Sequence, residues 1–384
     1  MDYLKEDNVL ICKKGAKSLS VNCMIPKIEP PEILPANVGV AYLYSPYFCA
    51  ASNYFSIKIQ KSNNQDEYWG MLYPMVLFDN ENSILYNGLK KYQLSMLFSA
   101  FCSFVDLALN VGKLKFDTQE DCYNYADFAT EESVFVFIYD KTVYADFNMI
   151  IGAFYDFGFY FIDNPYATDK FYKSEYQNSI FESQSVSKTL VLRKYSPIFE
   201  GFGYLENMYK RLLPRVESPL FRYFILYQVI EYLMEEKKDE VLFDELKSFS
   251  GKQKNDIRER IQSCLKEQNL IENLYSGVPH TNGIYADFCD KAKVLFEKVG
   301  KELPKAESFI SYMYGVRNII VHNFKSAMEN EELVKKLSEM FEKAIYELLV
   351  KVNIKKVDNK KIFVMDRLLS YKENKRNFYK VYHN

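Results

Sequence analysis

The sequence predicts an α+β N-terminal domain, a mixed sheet with a buried helix, followed by an all-α helical bundle. Three observations carry this. Aromatic and β-branched runs separated by turn residues fill the chain to about residue 205. A long apolar helix bounded by glycines interrupts them. From Ser218 to about residue 351, apolar residues recur at helical spacing.

In the first domain, residues 1–205, "VGVAYLYS", "YFSIKIQK", "SVFVFIYD", "TVYADFN" and "KTLVLRK" read as strands. The stretch from Gly88 to Gly112 reads as the helix. Its apolar part, Ser95 to Val111, is short for a membrane span and carries Asp106, which makes it a core helix. "MIIGAFYDFGFYFIDNP" fits either helix or strand.

The join "RKYSPIFEGFGYLEN" contains Pro and Gly and places the boundary at 200–210. The second domain, 206–352, opens with Ser218 as N-cap and Pro219 at the first helical position. Phe221, Phe224, Ile225 and Tyr232 form an apolar stripe there, with Gln228 in the same stripe. Further helices are expected at about 239–249, 252–269, 285–300, 305–324 and 329–351, with "YSGVPHTNG" as a loop. Residues 353–384 form a basic C-terminal tail.

Composition excludes several classes. The apolar share (48%) and charged share (26%) are those of a globular protein with a large core. The seven cysteines are scattered, with no C-x-x-C pair, which argues against a disulfide framework or a structural zinc site. No signal peptide is evident in "MDYLKEDNVL", and reduced thiols point to a cytoplasmic location. No cofactor or metal is expected. The net charge of −2 hides a gradient: residues 1–200 hold 17 basic and 24 acidic side chains, whereas residues 351–384 hold 10 and 3. The acidic first domain is therefore a poor primary nucleic-acid binder, while the tail would guide a polyanion.

The chemistry concentrates in "YGVRNIIVHNF", Tyr314 to Phe324. Pro304 suits the first turn of the helix that carries it. At 100° per residue, Met313, Val316 and Ile320 fall within about 40° of Phe309 and make a core stripe. Ser311, Gly315, Asn318 and His322 fall opposite, between about 180° and 240°, with Arg317 to one side near about 80°. Arg317 and His322 are thus about 140° apart and do not easily converge on one straight helix. They would converge if the helix bends, or if two copies meet across a two-fold axis. Gly315 would let another backbone approach.

The segment "RNIIVH", Arg317 to His322, resembles the R-x4–6-H motif of HEPN domains, in the form with a polar residue directly after the arginine. The helical context from about 210 to 350 resembles HEPN as well. So does the placement of the motif on a late helix, after a long earlier helix ending in acidic residues. The resemblance covers about 140 residues. It implies a metal-independent endoribonuclease acting as a homodimer, with two motifs forming one cleft. Such domains recur in toxin–antitoxin, CRISPR-associated and abortive-infection anti-phage systems. The resemblance does not extend to the first domain.

The reaction implied is attack of a ribose 2′-hydroxyl on the adjacent phosphate, leaving a 2′,3′-cyclic phosphate. His322 can accept and donate protons near neutrality. Arg317 stays charged and would clamp phosphate oxygens. Asn318 would orient His322 or donate to phosphate. The resemblance also implies a supporting residue on the earlier helix, for which Glu231 is the candidate, with Glu235 behind it. Tyr314 and Asn323 flank the motif in stacking, core or capping roles. His280 and Cys289, nine apart, have nothing to activate them as a pair, and His383 is penultimate.

The functional expectation is an RNA-cleaving defence or toxin effector regulated by its N-terminal domain, which would sense a phage component or small molecule. The alternative is a non-catalytic HEPN scaffold that binds a partner protein or RNA. A third reading is a small-molecule sensor whose helical half only dimerises.

Overall fold

Val134 to Asp140 is a strand buried on both faces. Val134, Val136 and Ile138 join one apolar cluster, and on the other side Phe135 packs edge-on against Phe159 and Phe137 packs tilted against Phe154. Val134 to Ile138, apolar and buried at every position, suits a central strand covered twice. The computed structural model in which it lies describes residues 2–26, 38–47, 54–60, 65–79, 86, 89–116, 122–131, 133–142, 147–166, 171–174, 189–247, 254–278 and 283–352. The basic tail, His280 and His383 fall outside these residues.

The chain divides into two compact units. The first holds Met1–Lys194 and Phe202–Arg215; the second holds Tyr195–Gly201 and Val216–Asn384. The chain therefore passes between units three times in the segment expected to be a single join. The fold class is as predicted: a mixed α+β unit followed by a helical one.

In the first unit the strands are β1 (Asp2–Glu6), β2 (Val9–Lys14), β3 (Lys17–Asn22), β4 (Val38–Tyr44), β5 (Phe55–Gln60), β6 (Asp66–Pro74), β7 (Cys122–Tyr123), β8 (Val134–Asp140), β9 (Tyr160–Ile162) and β10 (Thr189–Leu192). Among the described residues they form a four-stranded sheet, β1-β2-β3-β7, and a six-stranded sheet, β10-β5-β6-β8-β4-β9. The larger is antiparallel except for β10, which runs parallel to β5. Helix α1 (Lys91–Asn110) supplies Met96, Leu97, Phe101, Phe104 and Val105 to the cluster shared by both sheets. Among the described residues it alone is long and apolar enough to cross a membrane, yet 61% of its apolar window is buried.

Two expectations for this unit change. "TVYADFN" lies partly outside the described residues, and its last residues, Phe147 and Asn148, open a 3-10 turn instead of extending a strand. The ambiguous segment is both helix and strand: α2 (Ile151–Asp156), a glycine at φ +79° (Gly158), then β9. The unit closes with α3 (Gly203–Asn207), which runs into a π turn at Met208–Leu212.

The second unit consists of α4 (Pro219–Lys247), α5 (Lys254–Cys264), α6 (Glu267–Tyr275), α7 (Gly283–Lys298), α8 (Phe309–His322), α9 (Phe324–Glu329) and α10 (Glu331–Lys351). Ser218 Oγ accepts the Phe221 N–H at 3.5 Å, as an N-cap does. The break expected near residue 239 is absent. The charged stretch there is made of helix formers, with Lys238–Glu235 and Lys237–Glu240 pairs at i,i+3. The helix expected at 252–269 breaks instead at Lys266, where the Asn269 side-chain N–H donates to the freed Ser263 carbonyl.

The predicted stripe on α4 is also corrected. Phe221 and Phe224 are 51% and 43% exposed, whereas Ile225 of the predicted stripe is buried as expected, along with Leu220, Tyr223, Leu226, Tyr227, Ile230 and Leu233. Its first half, to Met234, is apolar on most sides, so periodicity alone did not single out its core side. Arg222, fully buried, pairs with Glu342 of α10, and Tyr223 stacks on Phe341 at 4.5 Å.

Candidate functional site

Helix α8 is seated at both ends by groups that fix its rotation. At its start, Ser308 Oγ accepts the Ser311 N–H at 3.2 Å. The helix begins at Phe309, so Pro304 lies in the preceding loop and not in the first turn. The Ser308 cap satisfies an orphan N–H, which proline at 304 cannot do. Phe309 enters an aromatic box of Tyr275, Tyr285 and Phe288, with ring centroids 5.7, 4.8 and 5.0 Å away. The predicted core stripe is buried throughout: Phe309, Met313, Val316 and Ile320 are each at most 6% exposed. The Tyr223 hydroxyl of α4 donates to the Met313 carbonyl at 2.8 Å.

The opposite stripe is not open along its length, as the wheel implied. Ser311 is buried, and its hydroxyl meets Ser308 Oγ at 3.0 Å and Gln268 Nε2 at 3.2 Å. Gly315 packs against the Phe296 ring of α7, so the close neighbour it admits is a side chain of this same chain. Only the last turn remains: Asn318 is half-buried and His322 is exposed.

Arg317 turns toward α4. Its Nη2 lies 3.5 Å from Glu231 Oε1, and its Nη1 donates to Asn318 Oδ1 at 3.2 Å. Its Cζ sits 5.5 Å from the centroid of the Tyr227 ring. Gln228 Nε2 donates to Glu231 Oε2 at 2.8 Å, which holds the carboxylate that meets the arginine. Glu231, inferred from sequence, is therefore at the arginine. Glu235 is not, since it pairs with Lys238 at 3.5 Å. The guanidinium keeps 25% of its side-chain surface exposed.

Among the described residues no hydrogen bond joins His322 to Arg317 or to Asn318, so the asparagine orients the arginine and not the histidine. The imidazole stands at the end of α8, beside Asn323, whose N–H closes the helix on the Ile319 carbonyl at 2.8 Å. Near it in sequence, Val321, Phe324 and Met328 are 42%, 58% and 44% exposed.

Two residues at the site were missed from sequence. Tyr227 lies four before Glu231, so i,i+4 spacing on α4 was the available signal. Glu267, which accepts the Tyr227 hydroxyl at 3.0 Å, is remote in sequence and gave none. Other candidates weaken. Burial, then the Asp290 charge, pushes the Cys289 thiol up, away from a reactive thiolate. Among the described residues no group of three or more His, Cys, Asp or Glu side chains is placed to hold a metal.

The last turns of α8 thus carry an anchored, partly exposed arginine and, separately, an exposed imidazole. No family model, curated protein or solved structure matches the chain.

Proposed function

We propose that the helical unit is a metal-independent endoribonuclease of HEPN type, working as a homodimer. It cleaves RNA by attack of a 2′-hydroxyl on the adjacent phosphate and leaves a 2′,3′-cyclic phosphate. Arg317 binds and stabilises the phosphorane oxygens, His322 transfers the proton, and Asn318 and Glu231 fix Arg317. The observation that supports this most is the division of labour on α8: the arginine is anchored by α4 and the histidine is left exposed. Because the two groups do not meet within one chain, a second copy supplies the complementary half of the cleft. The protein acts as a defence or toxin effector in the cytoplasm, and its N-terminal unit responds to a phage component or small molecule.

The test expresses wild type, His322→Ala and Arg317→Ala and follows growth and RNA integrity with metals chelated. Cleavage by wild type alone, with cyclic phosphate ends, is expected. Equal behaviour of all three folded proteins would sink the reading. The exposed Val321, Phe324 and Met328 favour one second reading, a scaffold whose helical unit binds a partner protein. Under it, Phe324→Asp removes partner binding in cells and no variant alters RNA.

A further inference from the structure

Tyr227 is 1% exposed, yet it is not merely core. One face of its ring carries Arg317, 5.5 Å from centroid to Cζ. Its hydroxyl donates to Glu267 Oε1 at 3.0 Å. Glu267 stands in the first turn of α6, so three helices converge on one guanidinium: α8 supplies it, α4 the ring and α6 the carboxylate. The tyrosine keeps its proton, because burial and then the Glu267 charge push its pKa far above the ordinary phenol range, while Arg317 pulls the other way.

We propose that Tyr227 and Glu267 are positioning residues that hold the Arg317 guanidinium in place for a phosphodiester of single-stranded RNA; this rests on the reading of Arg317 as the phosphate-binding cation. A guanidinium over an aromatic face is drawn to the negative ring quadrupole, more strongly where water is excluded. A phenol that donates to a carboxylate carries extra electron density in its ring, which strengthens that attraction. Glu267 thereby acts on Arg317 without touching it. Glu231 holds one arm of the fork and Asn318 the other, while the ring fixes the plane. An arginine side chain has about 2 kcal/mol of rotamer entropy to lose, so fixing it beforehand lowers the cost of engaging phosphate. Packing alone does not explain the arrangement. Among the described residues, the Tyr227 ring meets Phe341, tilted at 6.4 Å, a contact that an apolar side chain would serve equally.

The experiment uses the full chain and a fluorescein-labelled, mixed-sequence single-stranded oligoribonucleotide blocked by 2′-O-methyl groups. Affinity is measured by anisotropy across a salt series, and cleavage of the unblocked strand is measured beside it. Loss of one phosphate contact on a single strand lowers the salt slope by about 0.7. Arg317→Ala is expected to show that loss. Tyr227→Leu is expected to reproduce it, with KM raised about three- to tenfold. Tyr227→Phe and Glu267→Gln keep the ring and are expected to raise KM about two- to threefold. In the Arg317→Ala background, read by anisotropy alone, none of the three lowers affinity or salt slope further, because their effect passes through the arginine. Should Tyr227→Leu not fold, Tyr227→Phe and Glu267→Gln carry the test with the same non-additivity. Wild-type slope and KM in the folded variants, or full additivity with Arg317→Ala, overturns the proposal while leaving the site reading intact. A wild-type slope and wild-type cleavage in Arg317→Ala itself means the site reading has failed instead.

Discussion

Arg317 and His322 share a helix but not an environment. The arginine is three-quarters covered and bonded to Glu231 and Asn318, whereas the histidine faces solvent. Their substitution should therefore separate function from stability. His322→Ala is expected to abolish cleavage while moving the unfolding free energy by under about 0.5 kcal/mol, as surface changes usually do. Urea titration checks the second half. Arg317→Lys is expected to remain at least about tenfold below wild type, because an ammonium cannot serve Glu231, Asn318 and a phosphate with one planar fork. Equal activity of the lysine variant would show that charge alone is used. In the first unit, burial pushes the Cys12 thiol up from 9.0 to about 12, with the Asp106 and Cys23 charges adding to it. A thiol that holds its proton in the fold contributes stability that is intact below pH ~9. That stability is lost as pH rises from there toward 12, because only the unfolded thiol ionises in that window. Urea midpoints at pH 8 and pH 10.5 should show the fall, and Cys12→Ala should reduce it.

At the scale of the element, α8 is positioned by its cap and by what lies against Gly315. Ser308→Ala removes the acceptor for Ser311 N–H and should cost about 1 kcal/mol, read from the urea midpoint. Gly315→Ala sets two effects against each other. Helix propensity favours alanine by about 1 kcal/mol, but a methyl there overlaps the buried Phe296 ring, and overpacking costs about 1–3 kcal/mol. Net destabilisation is expected; a more stable variant would mean that the ring yields freely. These same positions show what the sequence made legible. The stripe of Phe309, Met313, Val316 and Ile320 could be read because one face of α8 is uniformly apolar. The fate of Ser311 and Gly315 could not, because small residues suit an open face and a tight internal contact equally. On α4 the difficulty was the reverse. Apolar residues lie on most sides of its first half, so Phe221 and Phe224 looked like core and prove exposed. Glu231 was named because the resemblance implies an acidic residue on the earlier helix, but Glu267 reaches the site only through the fold. The β1–β3 hairpins were missed because their alternation is masked by charges such as Lys5, Lys13 and Lys14.

At the scale of the whole molecule, the open question is how many chains build one cleft. The wheel separates Arg317 and His322 by about 140°, and in the fold the arginine is bonded to Glu231 of α4 while the histidine is exposed. A single chain then has a cation without an adjacent base. Two chains related by a two-fold axis through the last turn of α8 would bring Arg317 of one near His322 of the other, and the exposed Val321, Phe324 and Met328 would be covered in the process. This geometry predicts complementation. Under the proposed function, Arg317→Ala and His322→Ala homodimers are each expected to be inactive, but when they are co-expressed or exchanged, about half of the dimers should be mixed by random pairing. A mixed dimer retains one arginine and one histidine on different chains, so cleavage returns to a fraction of wild type. Phe324→Asp, introduced into both variants, removes the return by preventing pairing, and light scattering should then report monomers. If mixing restores nothing while mixed dimers are demonstrably present, each cleft needs both groups from the same chain. The separation seen on α8 would then have to be closed by a bend of the helix at its last turn.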